Sequence, residues 1–268
     1  MLAFLYRATI ALVFVFLLLP LVFVVVTSFG GSPMMAFPPT SFTLDWYQSI
    51  PEAFFSGLRV SAVVALWTSF TAAAVGTGAA LALARGRFPG IRMLGVFCLA
   101  PLMVPSLVVA VALYQFAGVI WDWTGIELGG TVLGIILGHT AVAIPYAVRA
   151  VMAGHAHFDP SIEEAALNLG ASWWRTLVSI TFPVLLPGII SGAVFAFLIA
   201  FDDLPIALFM GGDQSSTTMP VKIYTSIEYS LKPDIMAVSA LVIYVSLALM
   251  LVLERTLGLE RFFGSGRA

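Results

Sequence analysis

The chain has 268 residues, of which 60% are hydrophobic and only 10% charged, more apolar surface than one soluble core can bury, so it belongs in a membrane. Its 12 Lys+Arg against 14 Asp+Glu give a net charge of -2, which points to neither a nucleic-acid partner nor an acidic substrate. The single cysteine, Cys98, excludes an internal disulfide and a thiolate-cluster metal site. Neither Lys222 nor Lys232 follows a glycine, so there is no phosphate loop, and any ATP must be hydrolysed by a partner.

Crossing a bilayer takes about 20 mostly apolar residues per helix. The sequence offers six such runs, Ala8 to Thr27, Gly57 to Ala84, Leu94 to Gly118, Thr131 to Met152, Gly188 to Met210 and Ile235 to Leu253. They predict an all-α, polytopic membrane protein in which residues 1–268 form one transmembrane domain. The first run is longer than the apolar core of a signal peptide and lacks a clean cleavage site, so it reads as an uncleaved span.

Six spans put both termini on one side. Arg7, Arg85, Arg87, Arg92, Arg149, Arg175, Arg255, Arg261 and Arg267 fall on that side, against Arg59, Lys222 and Lys232 on the other. The positive-inside rule makes the first side cytoplasmic. Acidic residues lean outward, at Asp45, Glu52, Asp122, Glu127, Asp213, Glu228 and Asp234. The outer connection from Ser28 to Ser56 is rich in turn formers, Gly30-Gly31, Pro33, Pro38-Pro39 and Pro51, and reads as irregular structure. Pro101, Pro105 and Pro145 fall inside expected spans and should kink them.

The cytoplasmic connection from His155 to Pro187 is the more specific one. Asp159-Pro160 reads as a helix cap followed by proline at the first helical position, with Glu163 and Glu164 at the positive end of the helix dipole. Ile162, Ala165/Ala166, Leu169, Trp173 and Leu177 recur at helical spacing, and Gly170 interrupts them. Trp173-Trp174-Arg175 is a bulky aromatic and basic knob. On residues alone it suits either a groove in a partner protein or the membrane interface.

Glu164-Ala165-Ala166, then Gly170, then Ile180 and Phe182-Pro183 resemble the EAA loop of ABC-importer permeases, whose pattern ends Ile-x-Leu-Pro; Phe182 stands where Leu is usual. The resemblance implies the type I importer architecture and coupling helices seated in a cleft of an ATP-binding subunit, through Glu164, Ala165, Ala166, Gly170, Ile180 and Pro183. It also implies two ATP-binding subunits that hold the ATP and Mg, a second permease subunit, a periplasmic substrate-binding protein, and an inner-membrane location. No cofactor or metal of the chain's own is expected. The stretch from Ala200 to Val252, with Phe201-Asp202-Asp203-Leu204 and Met219-Pro220-Val221-Lys222-Ile223-Tyr224, resembles the second permease of spermidine/putrescine importers. That implies a polyamine or related small cationic amine, although permeases of this subfamily also serve opines, amino-acid derivatives and phosphonates.

Asp202 and Asp203 stand at the outer end of the fifth span, where an ionisable group is costly enough to suggest function. Gly188, Gly192, Ala196 and Ala200 form a small-residue stripe; Asp203 falls within its arc and Asp202 beside it. The pair either guides a cation or caps and braces the chain at Pro205. Tyr224, with Tyr114, Trp121, Trp123, Tyr146 and Tyr229, could give cation-π contacts to an amine, or packing and interface contacts. His139, His155 and His157 lack a third ligand at metal-site spacing. An ion-coupled transporter would show an internal repeat, and none is evident. Adjacent aspartates on a helix point about 100° apart and cannot converge on one water, which argues against a hydrolase.

Overall fold

A backbone in hydrocarbon must pair its own N–H and C=O groups, and a helix does so within one segment. A computed structural model, which describes residues 2–32, 37–156, 158–213, 215–229 and 234–257, is accordingly helical. Extended backbone pairs only at one isolated bridge among the described residues, Gly30 to Phe42. The helices are α1 (Leu2–Thr27), α2 (Asp45–Gln48), α3 (Glu52–Arg85), α4 (Ile91–Leu99), α5 (Ser106–Thr124), α6 (Val132–His155), α7 (Ser161–Asn168), α8 (Trp173–Thr176), α9 (Phe182–Asp202), α10 (Pro205–Met210), α11 (Met219–Tyr229) and α12 (Asp234–Leu257). Pro33, His157, Lys232, Arg261 and Arg267 lie outside the described residues.

Five helical stretches among the described residues are long and apolar enough to cross a membrane: Phe4–Thr27, Glu52–Arg85, Ser106–Thr124, Val132–His155 and Trp173–Asp202. The sixth expected span lies within α12, whose described apolar stretch is Asp234–Ala248.

Two expected spans differ in their limits, and proline is the reason in both. The third does not run from Leu94 to Gly118. α4 passes into a 3-10 turn at Ala100–Met103, Val104 is extended (φ -95, ψ 134), and α5 starts afresh after Pro105. Clash with the Pro105 ring pushes the preceding residue out of the helical region. The fifth span begins earlier than Gly188 and ends before Met210. Trp173–Asp202 is one continuous helical stretch, because a π-turn at Leu177–Thr181 joins α8 to α9. There the Phe182 N–H donates to the Leu177 carbonyl. The ladder widens just ahead of Pro183, which has no N–H to continue it. At the other end Asp203 is extended (φ -69, ψ 127), and α10 begins with Pro205.

The chain divides into two compact units. One comprises Met1–Phe55 and Lys222–Arg261. Its connection after α1 is tied locally: Gly31 N–H donates to Ser41 O (2.9 Å), Trp46 Nε1 donates to Gly30 O (2.7 Å), and the Ser28 and Tyr47 hydroxyls lie 2.7 Å apart. The Lys222 ammonium donates to the Ala53 carbonyl at 2.6 Å, and burial pulls its pKa down.

The second unit, Ser56–Val221, is organised on α6. A Cβ on Gly192 would stand 2.9 Å from Ala147 Cα, and one on Gly188 2.9 Å from the Ala150 carbonyl, so glycine lets α9 lie almost backbone to backbone on α6. Gly76 brings α3 equally close, with Ala147 Cβ 2.6 Å from where a Cβ would be. Apolar clusters follow one another along these helices. Val64, Ile135, Ile206 and Met210 pack at one end, Ala72, Ala143 and Ala196 in the middle, and Ala80, Val148, Val151 and Leu185 at the other. Cys98 fills space beside the last of these. The Ser69 hydroxyl donates to the Ala193 carbonyl (2.7 Å), and the Thr71 and Thr140 hydroxyls meet at 2.8 Å.

Candidate functional site

Each end of the α3–α6–α9 bundle carries a polar cluster. At the end where α3 and α6 finish, Asp159 Oδ1 accepts the Ser161 N–H at 3.0 Å and starts α7. That bond holds the Asp159 carboxyl below its usual range. α7 ends in a Schellman turn: Gly170 N–H donates to Leu167 O and Ala171 N–H to Ala166 O, both at 3.0 Å, with Gly170 at φ 88. The glycine of the motif therefore has a backbone reason to be there. Glu164, Ala165 and Gly170 are exposed and Ala166 is half-buried. Ile180 is half-buried in the π-turn, and Pro183 is exposed on the first turn of α9. The second half of the motif is thus the base of a span and not a loop. Leu169, Trp173 and Trp174 stand 89%, 59% and 64% exposed, with the two indoles 5.9 Å apart. His155, at the end of α6, lies against the Phe158 ring at 5.5 Å.

Charge spacing assigns Glu163 only to the helix dipole, yet Glu163 is the acid that turns inward. Its Oε1 accepts from Arg85 Nη2 and from the Thr181 hydroxyl, and Arg85 Nη2 also reaches Thr181 Oγ1 at 3.2 Å. The pair Glu163-Glu164 is thereby divided, one toward the bundle and one toward solvent.

At the opposite end the two aspartates also differ. Asp203 Oδ1 accepts the Ile206 N–H at 2.8 Å, capping α10, and lies 3.3 Å from Nε2 of fully buried His139. His139 Nδ1 is 2.9 Å from the Ile135 carbonyl. A carbonyl can only accept, so Nδ1 carries a hydrogen, and Nε2 can donate to Asp203 only when the ring is an imidazolium. Asp202, one residue back, is exposed. Tyr224 is exposed on α11 and belongs to the other unit.

The same end opens into a cavity of about 540 Å³ whose lining includes Tyr114, Trp121, Asp122 and Glu127. The sequence marks these four separately, as aromatic or outward acidic residues, although Tyr114, Trp121 and Asp122 recur at helical spacing on α5; Gly130 and Gly212, which approach closely, belong to the same lining.

Comparison with known proteins fits this architecture. Residues 72–257 match the family model of the binding-protein-dependent transport system inner membrane component. The chain is 31% identical over 233 residues to the putrescine transport system permease protein PotI of Escherichia coli K12, covering 86% of this chain and 82% of that one. It is 28% identical to the spermidine/putrescine transport system permease protein PotC of Haemophilus influenzae, over 93% of this chain and 95% of that one, and 29% identical to the molybdenum transport system permease protein ModB of the same organism, over 65% and 80%. A crystal structure of a bacterial ABC transporter involved in the import of the acidic polysaccharide alginate contains a chain of the same fold, with TM-score 0.73, 13% identity, and 95% of each chain covered. The chain therefore belongs to the inner membrane components of binding-protein-dependent transport systems, as a permease subunit of an ABC importer.

Proposed function

We propose that this permease forms half of the pathway for a polyamine or a related small organic amine, and that two ATP-binding subunits drive it through the segment from Glu164 to Pro183. The second half of the pathway is a second permease subunit, and a periplasmic binding protein delivers the solute. The end bearing α7 is cytoplasmic in this reading, since Arg85, Arg87, Arg92, Arg149 and Arg175 gather there. Both termini lie on that side. ATP binding closes the two ATPase subunits, α7 and the Trp173-Trp174 knob move with them, and the spans tip between inward-open and outward-open arrangements.

The observation that carries the amine reading is the chemistry of the opposite end. Asp202 is exposed there, and Asp122 and Glu127 share a cavity with the Tyr114 and Trp121 rings. Carboxylates attract an ammonium over a distance, and aromatic faces hold it at close range. Asp203 contributes less in this reading, because His139 and the Ile206 amide already engage it. Tyr224 remains a candidate pathway residue by its exposure alone.

The test is uptake of labelled putrescine by the assembled transporter in vesicles. Asp202→Asn should lower uptake about 5–30-fold, since one charge-assisted contact is worth roughly 1–2 kcal/mol, with expression and ATPase assembly unchanged. Uptake equal to that of the unaltered transporter removes Asp202 from the pathway. Gly170→Asp, which puts a side chain at φ 88 and a negative charge at the end of α7, should abolish ATPase co-purification. An active transporter that carries this substitution, or needs no ATPase, would overturn the docking reading.

A further inference from the structure

α7 is exposed along most of its length; of Ser161 to Gly170 only Glu163 and Ala166 are partly buried. Its inward polar contact is the carboxylate of Glu163, which meets two other elements at one oxygen. Arg85 is the last residue of α3, and Thr181, fully buried, is the last residue of the π-turn that leads into α9. The three side chains close a ring: Arg85 donates to Glu163 and Thr181, and Thr181 donates to Glu163. Each group's capacity fits its place, since guanidinium can only donate, carboxylate only accept, and a hydroxyl does both.

Beyond Thr181 the chain is a single helical rod to Asp202, about 32 Å at 1.5 Å per residue. α9 is held to α6 through Gly188 and Gly192 with no side chain between the backbones, so a displacement at its base cannot be absorbed by side-chain repacking along its length. The π-turn is the one interruption of the ladder between α8 and α9, and such turns concentrate at functional sites.

We infer that the Arg85–Glu163–Thr181 ring is the linkage that delivers movement of α7 into two membrane helices at once, α3 and α9, with Glu163 as the positioning residue. This rests on the reading that ATPase subunits dock on α7. Docking and transmission are then carried by different residues on one helix: the exposed face, with Glu164 and Gly170, is gripped, and Glu163 passes the motion inward.

The experiment uses the complete transporter in liposomes with loaded binding protein, reading putrescine uptake per ATP hydrolysed for Glu163→Gln and Thr181→Val, beside Gly170→Asp. Both ring substitutions keep size and remove one partner's charge or donor. The expected result is normal ATPase co-purification, ATP hydrolysis that loaded binding protein no longer stimulates, and uptake per ATP lower by about tenfold or more. Exchanging the charges, Arg85→Glu with Glu163→Arg, should recover part of the ratio that either single change loses. An unchanged ratio in both ring variants makes the ring a passive brace and overturns the inference. So does loss of ATPase co-purification in both, which would assign Glu163 to docking. Normal ATPase association in Gly170→Asp overturns the docking reading instead, whatever the ring variants do.

Discussion

At the scale of single residues, adjacent acids have been given different work. Asp203 is fixed by the α10 amide and by a buried imidazole, while Asp202 is left exposed. Replacing Asp203 by Ala removes the cap on the Ile206 amide, a loss of about 0.5–2 kcal/mol. Asp203→Asn keeps an oxygen that can accept from Ile206 and should cost less. Melting of the detergent-solubilised permease should rank unaltered, then Asn, then Ala; equal melting of the two variants would show that the cap on α10 contributes nothing. Glu163 and Glu164 divide in the same manner. Helical phase already sets Asp203 within the small-residue arc, but in neither pair does sequence name what the inward acid meets, because the partners are distant. His139 lies 64 residues from Asp203, and Arg85 lies 78 from Glu163.

Among the elements, contact through glycine decides which helices move together. Gly192→Ala would place a methyl 2.9 Å from Ala147 Cα, and the two backbones must part. Overpacking of this kind costs about 1–3 kcal/mol, and the thermal midpoint should fall. Gly78→Ala on α3 meets nothing within 4 Å and should be neutral or stabilise by up to about 1 kcal/mol; equal effects at the two positions would mean that α9 does not depend on that approach. The small-residue stripe was readable in the sequence because a period of four residues is a local pattern. The apolar runs were readable for a similar reason, since twenty such residues leave a helix few alternatives. Their limits were less legible. Proline signals a break but not its form: Pro145 is accommodated within α6, Pro105 separates α5 from the helix before it, and Pro183 is absorbed by a widened turn. The cavity bearing Asp122 and Glu127 is lined by one face of α5, a local pattern, and also by Gly211 and Gly212 from much later in the chain, which no local pattern reports.

Across the molecule, the apolar residues of α1 from Phe4 to Val22 are exposed, and so are the indoles at the end that bears α7. Lipid suits the former. For the latter, Trp173→Ala with Trp174→Ala should weaken ATPase co-purification by about 10–100-fold or more, in the range of aromatic anchors at protein interfaces, with membrane insertion unchanged. Undiminished association would assign the indoles to the membrane interface. The widened turn at Leu177–Thr181 has a further consequence, for tolerance of insertions and deletions. It holds one residue more than a regular helix would use over the same rise, so a one-residue deletion there could be healed by reverting to ordinary helical pairing. The chain would remain helical and inserted, and the turn bearing Trp173 and Arg175 would keep nearly its present facing relative to α9, whereas the same deletion in the regular part of α9 would rotate everything before it by about 100°. A one-residue difference in length is therefore absorbed at this turn and penalised on either side of it, so related chains that differ by one residue between Trp173 and Asp202 should carry the difference here.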